Sequence, residues 1–246
     1  MLNEQKILGA LGTALPLTCL DVTDSTNLRL KEMCRSGDKR VQLLCADSQT
    51  AGRGRLGRSF LSPENTGIYM SLLLPLPEDD LPLTVRAAAA VCRAVEEVTG
   101  QRLLIKWVND LFLDGKKVCG ILAEGVENMA VLGIGLNVRM PESGFPDVPI
   151  AGALNTHADR ETLIGRIAFH VLASLSEQKN SILTLYRERM LLTGKNITFN
   201  HSGQEKNARV LGVDDMGGLV VQTDAGTEIL RTGEVSVGSG QVACLE

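Results

Sequence analysis

The chain has 246 residues, of which 44% are hydrophobic and only 3% aromatic, so it can bury a sizeable core that must be mostly aliphatic. Its 25 basic and 29 acidic residues give a net charge of −4, without the overall basic field of a nucleic-acid binder. No apolar run approaches the ~20 residues that span a bilayer, and the start, MLNEQKILGA, does not read as a secretory signal.

In chain order, a short helix is expected within residues 2–12 and a strand over 16–22 (PLTCLDV). Asp24 or Ser25 caps the next helix, whose apolar face holds Leu28, Leu30 and Met33 and which Gly37 stops. VQLLCAD (41–47) reads as a strand, 48–62 as a polar loop and GIYMSLLLPL (67–76) as a buried strand. An Ala-rich helix over 80–99 ends at Gly100. LLIKW, LFLDG, KKVCGILAEGV and AVLGIGLNV follow as apolar strands with short turns, and 159–192 returns to helix with a break near Lys179–Asn180.

From about residue 195 the pattern changes to short strands, ITFN, KNARVLGV, LVVQT, TEILRT and EVSV, parted by DDMGG, DAG and TGE. Such spacing predicts a small β-barrel. The boundary falls near Gly194, dividing the chain into residues 1–194 and 195–246. The six cysteines (Cys19, Cys34, Cys45, Cys92, Cys119, Cys244) form no C-x-x-C pair and mostly sit in apolar runs, which fits a reduced cytoplasmic setting.

The richest segment is QTAGRGRLGRSF (49–60). Gly52, Gly54 and Gly57 spell G-x-G-x-x-G, and Gly52 through Ser59 spell a phosphate loop with Arg58 in place of lysine. Either motif must open a helix to place phosphate on its N-terminus, whereas Pro63, Gly67 and a strand follow here. What remains is three arginines, Arg53, Arg55 and Arg58, alternating with glycines. Glycine lets backbone approach closely and arginine grips phosphate or carboxylate with paired donors, so the loop suits closure over an anion. A solvated basic loop is the plain alternative.

Downstream, Lys106 ends an apolar strand, Asn109 and Asp110 lie at a turn, and Lys117 and Gly120 lie on the next strand. Gly133 and Gly135 interrupt a further strand, where glycine marks close approach of a ligand or of backbone. Each feature alone also reads as a snorkelling lysine, a hairpin turn or a bulge.

Taken together, DSTN (24–27), QTAGRGRLGR (49–58), KWVND (106–110), KKVCGIL (116–122) and GIGLN (133–137) resemble the ordered signature of biotin–protein ligases. The resemblance covers about residues 15–240. It implies an α/β (α+β) fold: a mixed-sheet biotin/lipoate ligase-like catalytic domain with a small C-terminal SH3-like β-barrel. It also implies that Ser25, Thr26, Asn27 and Gln49 meet the biotin head group, and that Gly52, Arg53, Gly54 and Arg55 fold over biotin and the adenylate. Lys106 matches the lysine that contacts the biotin carboxylate and the α-phosphate, and with Arg55 is the expected catalytic pair. Phe60, Asn109, Lys117 and Asn137 match the nucleotide side, together with Arg53 and Arg55, while Gly120, Gly133 and Gly135 underlie the ligand. Val108 stands where the family has proline, and Phe60 where it has tryptophan.

The implied reaction joins biotin and ATP into biotinyl-adenylate, releases pyrophosphate, and passes biotin to one lysine of a biotin carboxyl carrier protein. Because two anions meet, catalysis rests on charge neutralisation and positioning. Magnesium is implied with ATP, but no ligands are identifiable, Asp110 being no more than a candidate. Lipoate or octanoate ligases share the fold and remain the nearest alternative, and a noncatalytic biotin-binding module is a third. The S-T-N motif begins at Ser25, leaving no room before it for a helix-turn-helix, so no DNA partner is expected, nor a membrane. A homodimer is left open.

Overall fold

The structure, a computed structural model, describes residues 2–146, 148–201, 204–233 and 235–237. Seven strands make the first sheet: β1 (Leu17–Thr23), β2 (Gln42–Gln49), β3 (Gly67–Pro75), β4 (Leu104–Lys106), β5 (Asp110–Leu113), β6 (Lys116–Val126) and β7 (Met129–Asn137). Their order is β1-β2-β3-β7-β6-β5-β4. The β1–β2 pair is parallel because helix α2 (Thr26–Arg35) crosses between them, and the other pairs are antiparallel hairpins or returns, so the sheet is mixed.

Strand alternation divides the sheet into two chemically distinct faces. One face presents Leu43, Cys45, Met70, Leu72, Leu132, Ile134, Leu136, Cys119 and Ile121 to the main core. Over it lie α1 (Glu4–Leu11), α3 (Leu83–Thr99), α4 (Arg160–Ser174) and α5 (Lys179–Glu188). The other face carries α2, whose Leu30 and Cys34 pack on Leu44, Leu73 and Val131. Continuing along that face, Val131, Gly133 and Gly135 succeed one another on β7, opposite Leu73, Ser71 and Tyr69 of β3. Thus α2 fills one half of the face, and beyond its N-terminus the sheet turns to glycine and small polar residues.

Several element ends differ from the expected ones for local reasons. Helix α3 begins at Leu83, because Pro82 in an extended conformation caps it, and Gly100 ends it with φ 72°. The break in the last helical stretch falls before Lys179, which opens α5. The buried stripe of α2 is Thr26, Asn27, Leu30 and Cys34, so Leu28 lies off it and two polar residues lie on it. Ser25 is the N-cap by its backbone, yet its side chain makes no capping bond. Asp24 instead accepts from the Ser25 N–H at 2.6 Å and from the Arg29 guanidinium at 2.7 and 2.9 Å.

After Gly194, in the left-handed region at φ 78°, the tail forms a second sheet from β8 (Asn196–His201), β9 (Gln204–Val213), β10 (Leu219–Thr223), β11 (Gly226–Leu230) and β12 (Val235–Val237). Its order is β11-β10-β9-β8-β12, all antiparallel. The outer strands β11 and β12 do not pair with each other among the described residues, so the hydrogen-bonded ring is open. Trp107, 4% exposed, docks this sheet on the first by donating Nε1–H to the Gly217 carbonyl at 2.9 Å. Arg187 adds a bond to the Val213 carbonyl and an ion pair with Asp215 at 2.7 Å.

Cys34, Cys45, Cys92 and Cys119 are buried free thiols, Cys19 is half-buried, and Cys244 lies outside the described residues, as does Glu234 of the expected last strand. Among the described residues no helix is long and apolar enough to cross a membrane.

Gly165 lets α4 and α1 approach closely. A Cβ there would lie 2.5 Å from the Ile7 carbonyl and 2.6 Å from the Ala10 Cβ, so α4 and α1 touch backbone to backbone. Gly165→Ala should therefore lower stability by about 1–3 kcal/mol through overpacking. Gly9→Ala, on α1 with nothing within 4 Å of the new methyl, should raise it by about 0.5–1 kcal/mol. Urea melts of both variants check this contrast.

Candidate functional site

Where α2 leaves the sheet uncovered, a cleft of about 280 Å³ opens. Its floor is the glycine stretch of β6 and β7, where Gly120 is paired with Gly135 and Leu122 with Gly133. Two of these glycines are required by a neighbour. A Cβ on Gly133 would lie 2.2 Å from Asn27 Oδ1, and one on Gly135 would lie 2.6 Å from the Phe60 ring. A Cβ on Gly120 would lie 3.4 Å from the same ring, an ordinary contact. These strands are bare so that Asn27 and Phe60 can lie directly on backbone.

The arginine-rich loop runs along one side of the cleft. It is a distorted hairpin: Gly54 N–H donates to the Arg58 carbonyl at 2.7 Å and Phe60 N–H to the Gly52 carbonyl at 2.9 Å. A single 3-10 turn (Arg55–Gly57) closes it, with Leu56 and Gly57 at φ 53° and 76°. Gly52 does not line the cleft; it admits the returning chain, since a Cβ would lie 2.3 Å from the Phe60 carbonyl oxygen. The Phe60 ring also meets Tyr69 edge-on at 6.4 Å, and burial pushes the Tyr69 hydroxyl up to about 12.

Arg55 is held at both ends of its fork. It donates to Asn109 Oδ1 at 2.9 Å and to the Gly233 carbonyl at 3.0 Å, joining the loop to the β5 turn and to the second sheet. Asn109 in turn donates to the Ile121 carbonyl at 3.0 Å. Lys106 closes β4 opposite Asp110 and faces the cleft, immediately before the turn whose Trp107–Val108 peptide is cis. Lys117 pairs with Asp110 at 2.7 Å.

The lining therefore holds five cationic side chains, Arg53, Arg55, Arg58, Lys106 and Lys117, against a single carboxylate, Asp110. That imbalance makes the cleft a site for anions, with bidentate donors suited to phosphate or carboxylate. No group of three or more His, Cys, Asp or Glu is placed to hold a metal among the described residues. With Asp110 already paired to Lys117, the described residues offer no ready cage for magnesium, which would have to be held chiefly by the phosphates themselves.

At the opposite end lies a buried polar cluster. Gln49 Oε1 accepts from the Thr26 backbone N–H at 2.9 Å, and its Nε2 donates to Ser62 at 2.9 Å. Ser71, fully buried, lies 2.7 Å from Thr26 Oγ1 and 2.6 Å from Asn27 Oδ1. Asn27 Nδ2 donates to Glu124 at 2.9 Å, and Lys31 pairs with the other Glu124 oxygen at 2.5 Å. Burial raises the Glu124 carboxyl, but hydrogen bonds from Lys31 and Asn27 outweigh it and hold the group below its ordinary value.

Of the residues singled out from sequence, Ser25, Thr26, Asn27, Gln49, Arg53, Gly54, Arg55, Phe60, Lys106, Asn109, Lys117, Gly120, Gly133 and Gly135 all line this cleft. Gly52 lies behind the loop. Asn137 does not line the cleft either; its side chain, buried, donates to the Gly152 carbonyl at 2.9 Å and pins the loop that brings Val148 and Ile150 to the rim. Ser71 and Glu124 were missed. The signal for Ser71 was a lone polar residue inside the apolar run GIYMSLLLPL; Glu124 follows Gly120 by four residues on one strand, hence on the same face.

The chain is similar to known proteins. Residues 19–140 match the model of the Biotin/lipoate A/B protein ligase family, and residues 192–238 that of the Biotin protein ligase C terminal domain. The Biotin--[acetyl-CoA-carboxylase] ligase of Mycobacterium tuberculosis is 31% identical over 248 residues, covering 94% of this chain and 92% of that protein. The Bifunctional ligase/repressor BirA of Bacillus subtilis is 31% identical over 236 residues, covering 89% of this chain and 73% of that one. The biotin protein ligase from Aquifex aeolicus, solved in complex with biotin and ATP, superposes with a TM-score of 0.78 at 31% identity, over 90% of this chain and 97% of its own. By both sequence and fold, the chain belongs to the biotin/lipoate protein ligase family.

Proposed function

We propose that this protein is a biotin–protein ligase, which activates biotin with ATP to biotinyl-adenylate and transfers the biotin to a lysine of a biotin carboxyl carrier protein. The observation that carries the reading is the pairing, in one cleft, of a buried head-group pocket with a cationic end bearing five positive side chains and one carboxylate. Relatives named as biotin ligases, and a solved neighbour holding biotin and ATP, support the same reading.

In this reading the head group rests by Ser25, Thr26 and Gln49, and its carboxylate reaches Lys106. The carboxylate oxygen attacks the α-phosphorus, pyrophosphate leaves, and the mixed anhydride forms. Lys106 and Arg55 neutralise the two approaching anions, and Arg53 and Lys117 extend that field along the nucleotide. Phe60 offers its ring to the base. Magnesium supplies further neutralisation on the phosphates when bound. The carrier's lysine then attacks the anhydride carbonyl and AMP departs. Asn109 orients Arg55, and Gly52, Gly54, Gly120, Gly133 and Gly135 provide close backbone approach. Asn137 serves by fixing the rim loop. We take residues 1–194 as the catalytic unit and 195–246 as the C-terminal one, joined at the site through Arg55 and Gly233.

Lys106→Met keeps the stem and removes the ammonium. It should leave the unfolding midpoint nearly unchanged and cut biotin-dependent pyrophosphate release by on the order of a hundredfold or more, the scale of losing a charge aimed at the reacting groups. A folded Lys106→Met protein with normal release would refute the role. With a carrier domain present, mass spectrometry should find biotin on one carrier lysine and little on free lysine or an unrelated folded protein. Uniform labelling, with the adenylate still enzyme-bound, would show that docking does not govern transfer.

A further inference from the structure

The buried cluster beside the head-group pocket has only one consistent arrangement of its protons, and Glu124 sets it. A carboxylate can only accept, so Asn27 must point its NH₂ at Glu124, 2.9 Å away. The amide is then fixed with Oδ1 towards Ser71, at 2.6 Å. An amide oxygen also only accepts, so the single Ser71 proton goes to Asn27. At 2.7 Å from Thr26 Oγ1, Ser71 can then serve only as an acceptor from Thr26. The other polar group near the Thr26 hydroxyl is Gln49 Oε1 at 3.2 Å, held as an acceptor by the Thr26 backbone N–H. Ser71 is the nearer acceptor, at 2.7 Å against 3.2 Å, so the Thr26 proton is directed into the protein towards Ser71.

The lone pairs of Thr26 Oγ1 are thus left for the cleft that Thr26 lines. We infer that Glu124 is a positioning residue: through Asn27 and Ser71 it makes the Thr26 hydroxyl an obligate hydrogen-bond acceptor, so that the pocket selects a head group bearing an N–H at that point. The inference rests on biotin as the substrate, whose cyclic urea carries two such N–H groups. It also gives a reason for rejecting a head group without N–H, such as a dithiolane, because the oriented acceptor would stay buried and unpaired. Burial makes the relay effective, with Ser71, Thr26 and Asn27 each no more than 4% exposed. Asn27 Oδ1 lies 2.2 Å from where a Cβ on Gly133 would stand, so the amide occupies space that only a glycine leaves open.

The test is a double-variant cycle on the full chain, read as biotin affinity by calorimetry. Glu124→Gln keeps the shape but can donate as well as accept, so Asn27 is free to flip and the relay loses its direction. Biotin affinity should fall by about tenfold, as expected for one misdirected hydrogen bond, with kcat at saturating biotin and the KM for ATP within about twofold. Thr26→Val removes the acceptor. In that background Glu124→Gln should cost almost nothing further, which a merely structural role for Glu124 would not produce. Lys31→Met breaks the ion pair but leaves the Glu124–Asn27 bond, and should keep affinity within about threefold. Wild-type affinity in Glu124→Gln, or an equal loss with and without the Thr26 hydroxyl, overturns the inference. Should Glu124→Gln fail to fold, the ligand carries the test instead. Of the two biotin analogues with one ring N–H replaced by oxygen, each a cyclic carbamate, at least one should bind the wild type about tenfold or more weakly, a preference that Thr26→Val abolishes. Equal binding of biotin and both analogues to the wild type overturns the inference. If the wild type binds no biotin at all, the functional reading itself fails, a result distinct from either.

Discussion

The site depends on the way α2 covers only part of one sheet face. Leu30 and Cys34 fill the half over Leu44, Leu73 and Val131 with ordinary apolar contacts. At the first turn of the helix the same stripe changes to Thr26 and Asn27, and the sheet beneath changes to Ser71, Gly133 and Gly135. A buried carboxamide needs all its partners satisfied, and a glycine floor is the only surface that lets it lie flat on backbone. Ser71, Glu124 and the Gly133 Cα meet these needs together, which is why polar residues occur inside this sheet where aliphatic ones would otherwise stand.

Two unlike environments then share one cleft. One end is buried and hydrogen-bonded through Ser71, Thr26 and Asn27; the other is cationic, built on Lys106 from β4, Lys117 from β6 and the arginines of the loop. Separation of the two explains how one ligand can be recognised at one end and activated at the other. The arginine loop is tied to both sheets, since Arg55 bonds Asn109 and the Gly233 carbonyl. The second sheet, docked by Trp107 and Arg187, is therefore part of the support of the cationic end.

Most of this was legible in the chain. Alternation and turn residues located the strands to within a few positions, because the strands of the first sheet other than the partly exposed β1 bury apolar side chains. The helix ends were less legible where backbone geometry at a single residue decides them, as at Pro82 and Lys179. Leu28 looked like core by hydrophobicity, yet the helix buries Thr26 and Asn27 because their partners on the sheet are polar. The motif residues come together through strand register, which sets Lys106 opposite Asp110, Asp110 opposite Gly120 and Gly120 opposite Gly135, while the G-R-G-R loop follows the end of β2. Asn137 and Gly52 belong to the motifs but support the cleft from behind, and no spacing rule distinguishes support from contact. Ser71 and Glu124 lay outside every motif, and their importance arises only from three-dimensional pairing with Asn27.

The central claim is that this cleft takes a urea-type head group and not another acyl chain with a carboxylate tail. Titration calorimetry of the full chain with biotin and with lipoate, at one salt concentration, tests it most directly. The account predicts one-to-one binding of biotin and no detectable heat from lipoate at the same concentrations. Comparable affinity for both, or binding of lipoate alone, would contradict it.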